Sequence, residues 1–350
     1  MAQAQREKLH GLQVLRGVAA TVVMVFHVCN NRAMGVALAP QARFALKLAA
    51  DCAVDAFFVL SGFIMVHTQA RSRRGAIAFA RQRIERIVPL YWLTIVLTLA
   101  FDLSGEPTIG RAVRHFTLTV NYIAASALFI SHAFGYRYPT VLPGWSLEYE
   151  MLFYALFAGA IAISRRHTVA LVIAMLAALT LMGVLRPLCL EFACGAAVGA
   201  LYQRGRHRPL AKLMLVLAPA AVAAGLLTRA YPTGDDDWAR VAFCGVPMLA
   251  VFLAALCTSA ARWPVAEALG DCSYAIYLTH CLWLGLFMRY LLPVMPAWAG
   301  PGLTAATAIA CCLAGGVAMH YLVEKKLDRA WRAVRKRSGG GAVAGTAAAV

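Results

Sequence analysis

Acidic residues are scarce in this 350-residue chain: 16 Asp and Glu stand against 33 Lys and Arg, and charged residues of both signs make up only 14 %. So few charges, with 61 % hydrophobic residues and a mean hydropathy of +0.68, exclude an ordinary water-soluble domain and an intrinsically disordered chain alike. Several signatures are missing too. The ten cysteines form no Cys-x-x-Cys pair and no Cys/His zinc spacing, which excludes a disulfide scaffold or zinc module, and no metal is expected. Walker, GxGxxG and GxSxG motifs are absent, so neither a phosphate cradle of those kinds nor a nucleophile elbow is available. Most cysteines read as small apolar packing groups; Cys29 and Cys52, near one membrane surface, are the pair placed for a disulfide.

What is abundant is apolar sequence in long runs. Segments near the length of about 20 residues that crosses a bilayer occur at 12–30, 51–67, 87–101, 144–163, 168–185, 187–202, 213–228, 241–260, 269–291 and 303–322. The expectation is an all-α integral membrane protein, a bundle of about ten transmembrane helices. The first run carries Arg16 and His27 and lacks a good cleavage site, so it is read as a retained span rather than a signal peptide. The apolar stretch 117–130 is short and holds Asn121, leaving it re-entrant, peripheral or spanning.

The net charge of +17 would suit nucleic acid in a soluble protein, but its distribution argues otherwise, and no nucleic-acid partner is expected. With ten spans, Arg6, Lys8, the basic run 71–86, Arg165, Arg166, the cluster 204–212, Arg262 and the run 325–337 all fall on one side. The positive-inside bias makes that side, and both termini, cytoplasmic. An eleventh crossing would carry the basic tail outside, so the charge pattern argues against one. The acidic stretch TGDDDW at 233–238 falls outside the cell on this reading. The Gly/Ala-rich end reads as a disordered cytoplasmic tail, giving a membrane domain over 1–335 and a tail over 336–350.

Ionisable groups inside spans are costly unless paired or hydrated, so each one is a functional candidate. Arg16 and His27 are eleven residues apart, which at 3.6 residues per turn places them about 20° from one face and roughly 16 Å apart along it. The plain alternative is that Arg16 snorkels to headgroups and His27 bonds a neighbouring carbonyl. Asp55 lies at the same depth as His27 and suits an Asp–His pair that orients the imidazole; capping its own helix is the alternative. Arg83 and Arg86, one turn apart, suit phosphate or, equally, lipid anchoring.

In GWSLEYEMLFY, 144–154, Ser146 suits an N-cap and Glu148 a first turn, while Glu150 shares a face with Phe153 and Tyr154, an acid beside rings that would grip a sugar. Ser273, Tyr277 and His280 form a polar stripe at i, i+4, i+7. His320 and Glu324, four apart, suit a local pair.

Taken together, Arg16 with His27, VDAFFVLSGF, the Arg83/Arg86 pair before IVPLYW, WSLEYEMLFY, SYAIYLTH and Glu324 resemble the acyltransferase family 3 membrane proteins, over about residues 12–329. The stretch 126–154 is most similar to the branch associated with bacterial exopolysaccharide production. One departure is EKKLDR where members often follow the terminal glutamate with Lys-Pro. The chain also lacks the soluble hydrolase-like domain that some members append.

The resemblance implies transfer of an acyl group, often acetyl, from cytoplasmic acyl-CoA to a hydroxyl of a cell-surface or exported glycan. Acyl-CoA would be a co-substrate, with no permanently bound cofactor. The implied roles are catalysis for His27, donor binding for Arg16, Arg83 and Arg86, and an acceptor site at or near Glu150; Trp145, Tyr154, Ser273, Tyr277 and His280 are read beside it as acceptor-binding or supporting residues. Implied partners are membrane lipids, a polysaccharide or lipid-linked glycan, and polysaccharide synthesis or export machinery, at the bacterial cytoplasmic membrane. A multi-span transporter and a non-catalytic export component are the rival classes.

Overall fold

The computed structural model describes residues 9–103, 120–228, 238–258, 263–296 and 298–337. Among these residues no strand occurs, and every apolar run lies on helix. The helices are α1 His10–Cys29, α2 Pro40–Ser72, α3 Ala76–Leu103, α4 Val120–Ala127, α5 Gly144–Ile163, α6 Thr168–Leu181, α7 Leu190–Gln203 and α8 His207–Thr228. Trp238–Arg240 then leads through a π-helical turn, Val241–Gly245, into α9, Val246–Cys257. The last three are α10 Pro264–Leu286, α11 Pro301–Met319 and α12 Lys325–Arg337.

Among the described residues, eight helices are long and apolar enough to cross a bilayer. The other two expected runs form α6 and α7, each 14 residues long, against the about 20 residues a perpendicular crossing needs. Of the ambiguous stretch 117–130, residues 120–130 are described, and their helix is the eight-residue α4, only about 12 Å long and too short to span. The acidic loop at 233–237 and the tail from residue 338 lie outside the described residues. Cys29 and Cys52 form no disulfide; both are free thiols.

The helices cross closely where glycine removes the side chain. A Cβ on Gly270 of α10 would fall 2.1 Å from the Gln13 carbonyl oxygen of α1, and one on Gly17 would fall 2.9 Å from the Gly270 nitrogen. The α2/α7 crossing is equally close, with hypothetical Cβ atoms of Gly62 and Gly195 at 2.1 and 1.9 Å from backbone oxygens. Small residues at a membrane-helix interface permit this backbone approach. Aromatic stacking fills the space beside it: Phe58 on Phe192 at 4.4 Å, Phe192 on Phe153 at 4.6 Å, Phe79 on Phe157 at 5.0 Å between ring centroids.

The Gly270→Ala variant is therefore expected to lose about 1–3 kcal/mol, the usual cost of overpacking, because a backbone atom cannot rotate away. Gly159→Ala, where nothing lies within 4 Å of the new Cβ, should be neutral or slightly stabilising. Thermal unfolding of the two purified variants checks both expectations.

Candidate active site

The α1/α10 crossing brings two imidazoles together. His27 Nδ1 stands 3.2 Å from His280 Nε2, and the ring centroids are 4.9 Å apart. His280 is fully buried and His27 half-buried. Hydrogen bonding fixes the tautomers. The Nδ1 of His280 lies 2.7 Å from the Tyr277 carbonyl and must donate to it, which leaves Nε2 as an acceptor. His27 Nδ1 lies 2.9 Å from the Val23 carbonyl, so it too carries the proton and shares it between that oxygen and His280 Nε2. The consequence is that His27 Nε2 bears the free lone pair. Cys281 completes the cluster, its Sγ 3.3 Å from His280 Nε2.

The expected pair between Asp55 and His27 is not formed. Asp55 accepts instead from Arg240, with Nε at 3.1 Å and Nη2 at 2.6 Å from Oδ1, and both residues are buried. The reason is competition: a guanidinium satisfies a desolvated carboxylate with two charge-assisted bonds, which a neutral imidazole cannot match. The acidic Glu191 of α7 lies within electrostatic range of this pair, with both carboxyl oxygens buried and without hydrogen-bond partners. Sequence reasoning missed Arg240, Glu191 and Cys281.

At the other end of α1 lie the arginines. Arg16 is buried; Gln13 Oε1 accepts from its Nη1 at 3.3 Å, and Arg86, Glu324, Asp271 and Glu150 are within electrostatic range. Arg83 is buried beneath Phe79 and Tyr154, its guanidinium carbon 5.7 and 5.9 Å from their ring centroids, and its Nε has no hydrogen-bond acceptor. Arg86, one turn along, is exposed. The two arginines thus differ in burial although they share a face.

A polar seam joins these ends. The Tyr154 hydroxyl donates to Glu150 Oε1 at 2.5 Å, and Ser61 donates to the same oxygen at 2.6 Å. One turn nearer the imidazoles, the hydroxyls of Ser146 and Tyr277 meet at 2.8 Å. Ser273 is buried with its hydroxyl unpartnered. Tyr274 donates to the Ile87 carbonyl at 2.7 Å, tying α10 to α3 beside Pro89. Glu150 is thereby placed midway along the seam and within range of Arg16 and Arg83, rather than beside His27. Trp145 lies half-buried against Tyr149, ring centroids 6.3 Å apart, at the imidazole end of α5.

Two expectations about α5 change. Ser146 caps nothing: its hydroxyl donates to the Pro143 carbonyl at 3.1 Å and bonds Tyr277. Glu148 holds the preceding loop, accepting from the backbone nitrogens of Ser131 and His132, from the Ser131 hydroxyl and from His132 Nδ1 at 2.9 Å. That loop closes at Gly135, whose φ of +77° favours a residue without a side chain. His320 and Glu324 do pair, at 2.7 Å.

Comparison with known proteins identifies the family of the chain. The acyltransferase-3 family model, described as an acyltransferase domain, matches residues 9–316. The exopolysaccharide production protein ExoZ of Rhizobium meliloti (strain 1021) is 32 % identical over 306 residues, covering 82 % of this chain and 92 % of its own length. The acyltransferase MdmB of Streptomyces mycarofaciens is 25 % identical over 366 residues, 92 % of each chain. Protein 2 in the picA locus of Rhizobium radiobacter is 29 % identical over 174 residues, 45 % of this chain and 85 % of its own. No solved structure matches significantly. This multi-pass membrane chain belongs to the acyltransferase-3 family.

Proposed function

We propose that the protein transfers an acyl group, acetyl in the first instance, from cytoplasmic acyl-CoA to a hydroxyl of an exported or cell-surface polysaccharide, as an O-acyltransferase of the bacterial cytoplasmic membrane. The observation that carries this reading is the polar seam, with arginines at one end and a histidine bearing a free Nε2 lone pair at the other. Coenzyme A is a long, phosphate-bearing thioester donor of that shape. Its phosphates would meet Arg16, Arg83 and Arg86, where the buried Arg83 Nε is without an acceptor. The pantetheine arm would run past Tyr154, Ser273 and Tyr277 towards His27.

In this mechanism His27 Nε2 removes the proton of the acceptor hydroxyl as the oxygen attacks the thioester carbonyl. The C–S bond then breaks, and the leaving thiolate takes the proton back from the imidazolium, so His27 ends as it began. His280 replaces Asp55 as the group that orients His27, by accepting its Nδ1 proton. Glu150 tempers the arginine charge along the donor path, and Trp145 at the imidazole end offers a ring for the acceptor sugar. The similarity to ExoZ supports a polysaccharide acceptor.

Purified protein given labelled acetyl-CoA and polysaccharide should form a labelled, alkali-labile ester. Movement of unmodified solute across vesicles, with no ester formed, would instead identify a transporter. Mass spectrometry of surface polysaccharide from cells with and without the protein names the modified sugar.

A further inference from the structure

We propose that His27, His280 and Cys281 form a binding site for a borderline-soft divalent ion, Zn²⁺ in the first instance, and that its occupation switches off acyl transfer. The three residues each direct one ligand atom into a common space, all within 4.8 Å of one another. Nitrogen and thiolate donors of this kind select zinc-like ions over magnesium or calcium. With Zn–N of about 2.0–2.1 Å and Zn–S of about 2.3 Å, ligand atoms on a tetrahedron stand roughly 3.3–3.6 Å apart. The observed separations of 3.2 Å between the imidazole nitrogens and 3.3 Å between His280 Nε2 and Cys281 Sγ lie close to two such edges, leaving one to close by side-chain rotation.

The surroundings suit an ion as well. His280 donates its other ring proton to the Tyr277 carbonyl, the support that metal-ligating histidines ordinarily have. Asp51, which also pairs with Lys47 at 2.5 Å, lies within electrostatic range of His27. His27 is half-buried, so the cluster is not sealed off from an incoming ion.

Proton accounting explains why binding inhibits. The Cys281 thiol loses its proton to solvent on becoming a thiolate ligand. His27 gives Nδ1 to the ion, and its proton moves through solvent to Nε2, the nitrogen that the transferase reading assigns as base. The Val23 carbonyl loses a side-chain donor but remains inside helix α1. His280 keeps its tautomer. The ring is thus held in the form that cannot accept a proton from the substrate.

The inhibition arm rests on the transferase reading above; the binding arm does not. Full-length protein freed of metal with chelator is titrated with Co²⁺ as a spectroscopic probe, and bound metal is counted after gel filtration. One ion per chain with a thiolate-to-cobalt absorption band, lost in Cys281→Ser, supports the site. No bound ion, or a band unchanged in Cys281→Ser, overturns it whether or not the protein makes ester. In the transfer assay Zn²⁺ should inhibit the wild type reversibly. Cys281→Ser, which retains a hydroxyl donor towards His280, should require at least about tenfold more Zn²⁺. Equal inhibition of both proteins overturns the switch, and absence of ester in the metal-free wild type overturns the transferase reading alone. Should Cys281→Ser not fold, Cys281→Ala serves in its place.

Discussion

The His27→Ala variant is expected to lose about 10²–10⁴-fold in kcat, the range that a positioned general base contributes, while the KM for acyl-CoA stays close to wild type. The split follows from the geometry. The arginines that would hold the donor lie at the opposite end of α1, and the methyl group of alanine disturbs neither them nor the α1/α10 crossing at Gly17 and Gly270. His280→Ala should cost less, since it leaves the Nε2 base in place and the Val23 carbonyl still accepts the Nδ1 proton, and removes only the second acceptor that helps to orient the ring. His280→Gln, which offers a carbonyl oxygen in the region of the lost Nε2, should recover part of the loss. Steady-state assays with labelled acetyl-CoA check the series, and His27→Ala within a few-fold of wild type would remove His27 from the chemistry. Incubation of wild type with labelled donor and no acceptor separates two routes: label retained on His27 indicates an acyl-histidine relay, and its absence in a competent complex indicates direct attack.

The apolar runs made the helices legible because a bilayer leaves a hydrophobic segment little choice but to close its own backbone hydrogen bonds. The Arg16/His27 face was equally legible, since helical periodicity relates residues eleven apart without any knowledge of neighbours. Partners across the bundle were not. Asp55 and Arg240 are separated by 185 residues, and His27 and His280 by 253, so no local spacing announces either pair. Arg240 also stands one residue before the apolar run 241–260, so the search for charges inside spans passes over it. Glu191 carried a signal, as an acid inside the apolar run 187–202, and the same rule that selected Asp55 would have selected it. Ser146 and Glu148 had the residue types of a helix start, but the loop and α10 supplied stronger partners for both.

Loss of Arg240 should be among the most damaging single changes to the fold, and more damaging than loss of Asp55. Breaking a buried pair by removing one partner typically costs 3–5 kcal/mol, because the other charge is left desolvated and alone. Asp55→Ala is expected to fall towards the lower end of that range: Glu191, with both oxygens unpartnered and Arg240 within electrostatic range, provides a second carboxyl to which the guanidinium can turn. Arg240→Ala removes the guanidinium from both Asp55 and Glu191 at once. A combined Asp55→Leu and Arg240→Met replacement should restore much of the stability lost in either single variant, since apolar groups of similar volume need no counter-charge. Thermal unfolding in detergent, with the four proteins compared at one pH, tests the order. Equal losses for the two single variants would mean that Glu191 does not share Arg240 with Asp55, and losses below about 1 kcal/mol in both would mean that water reaches the pair.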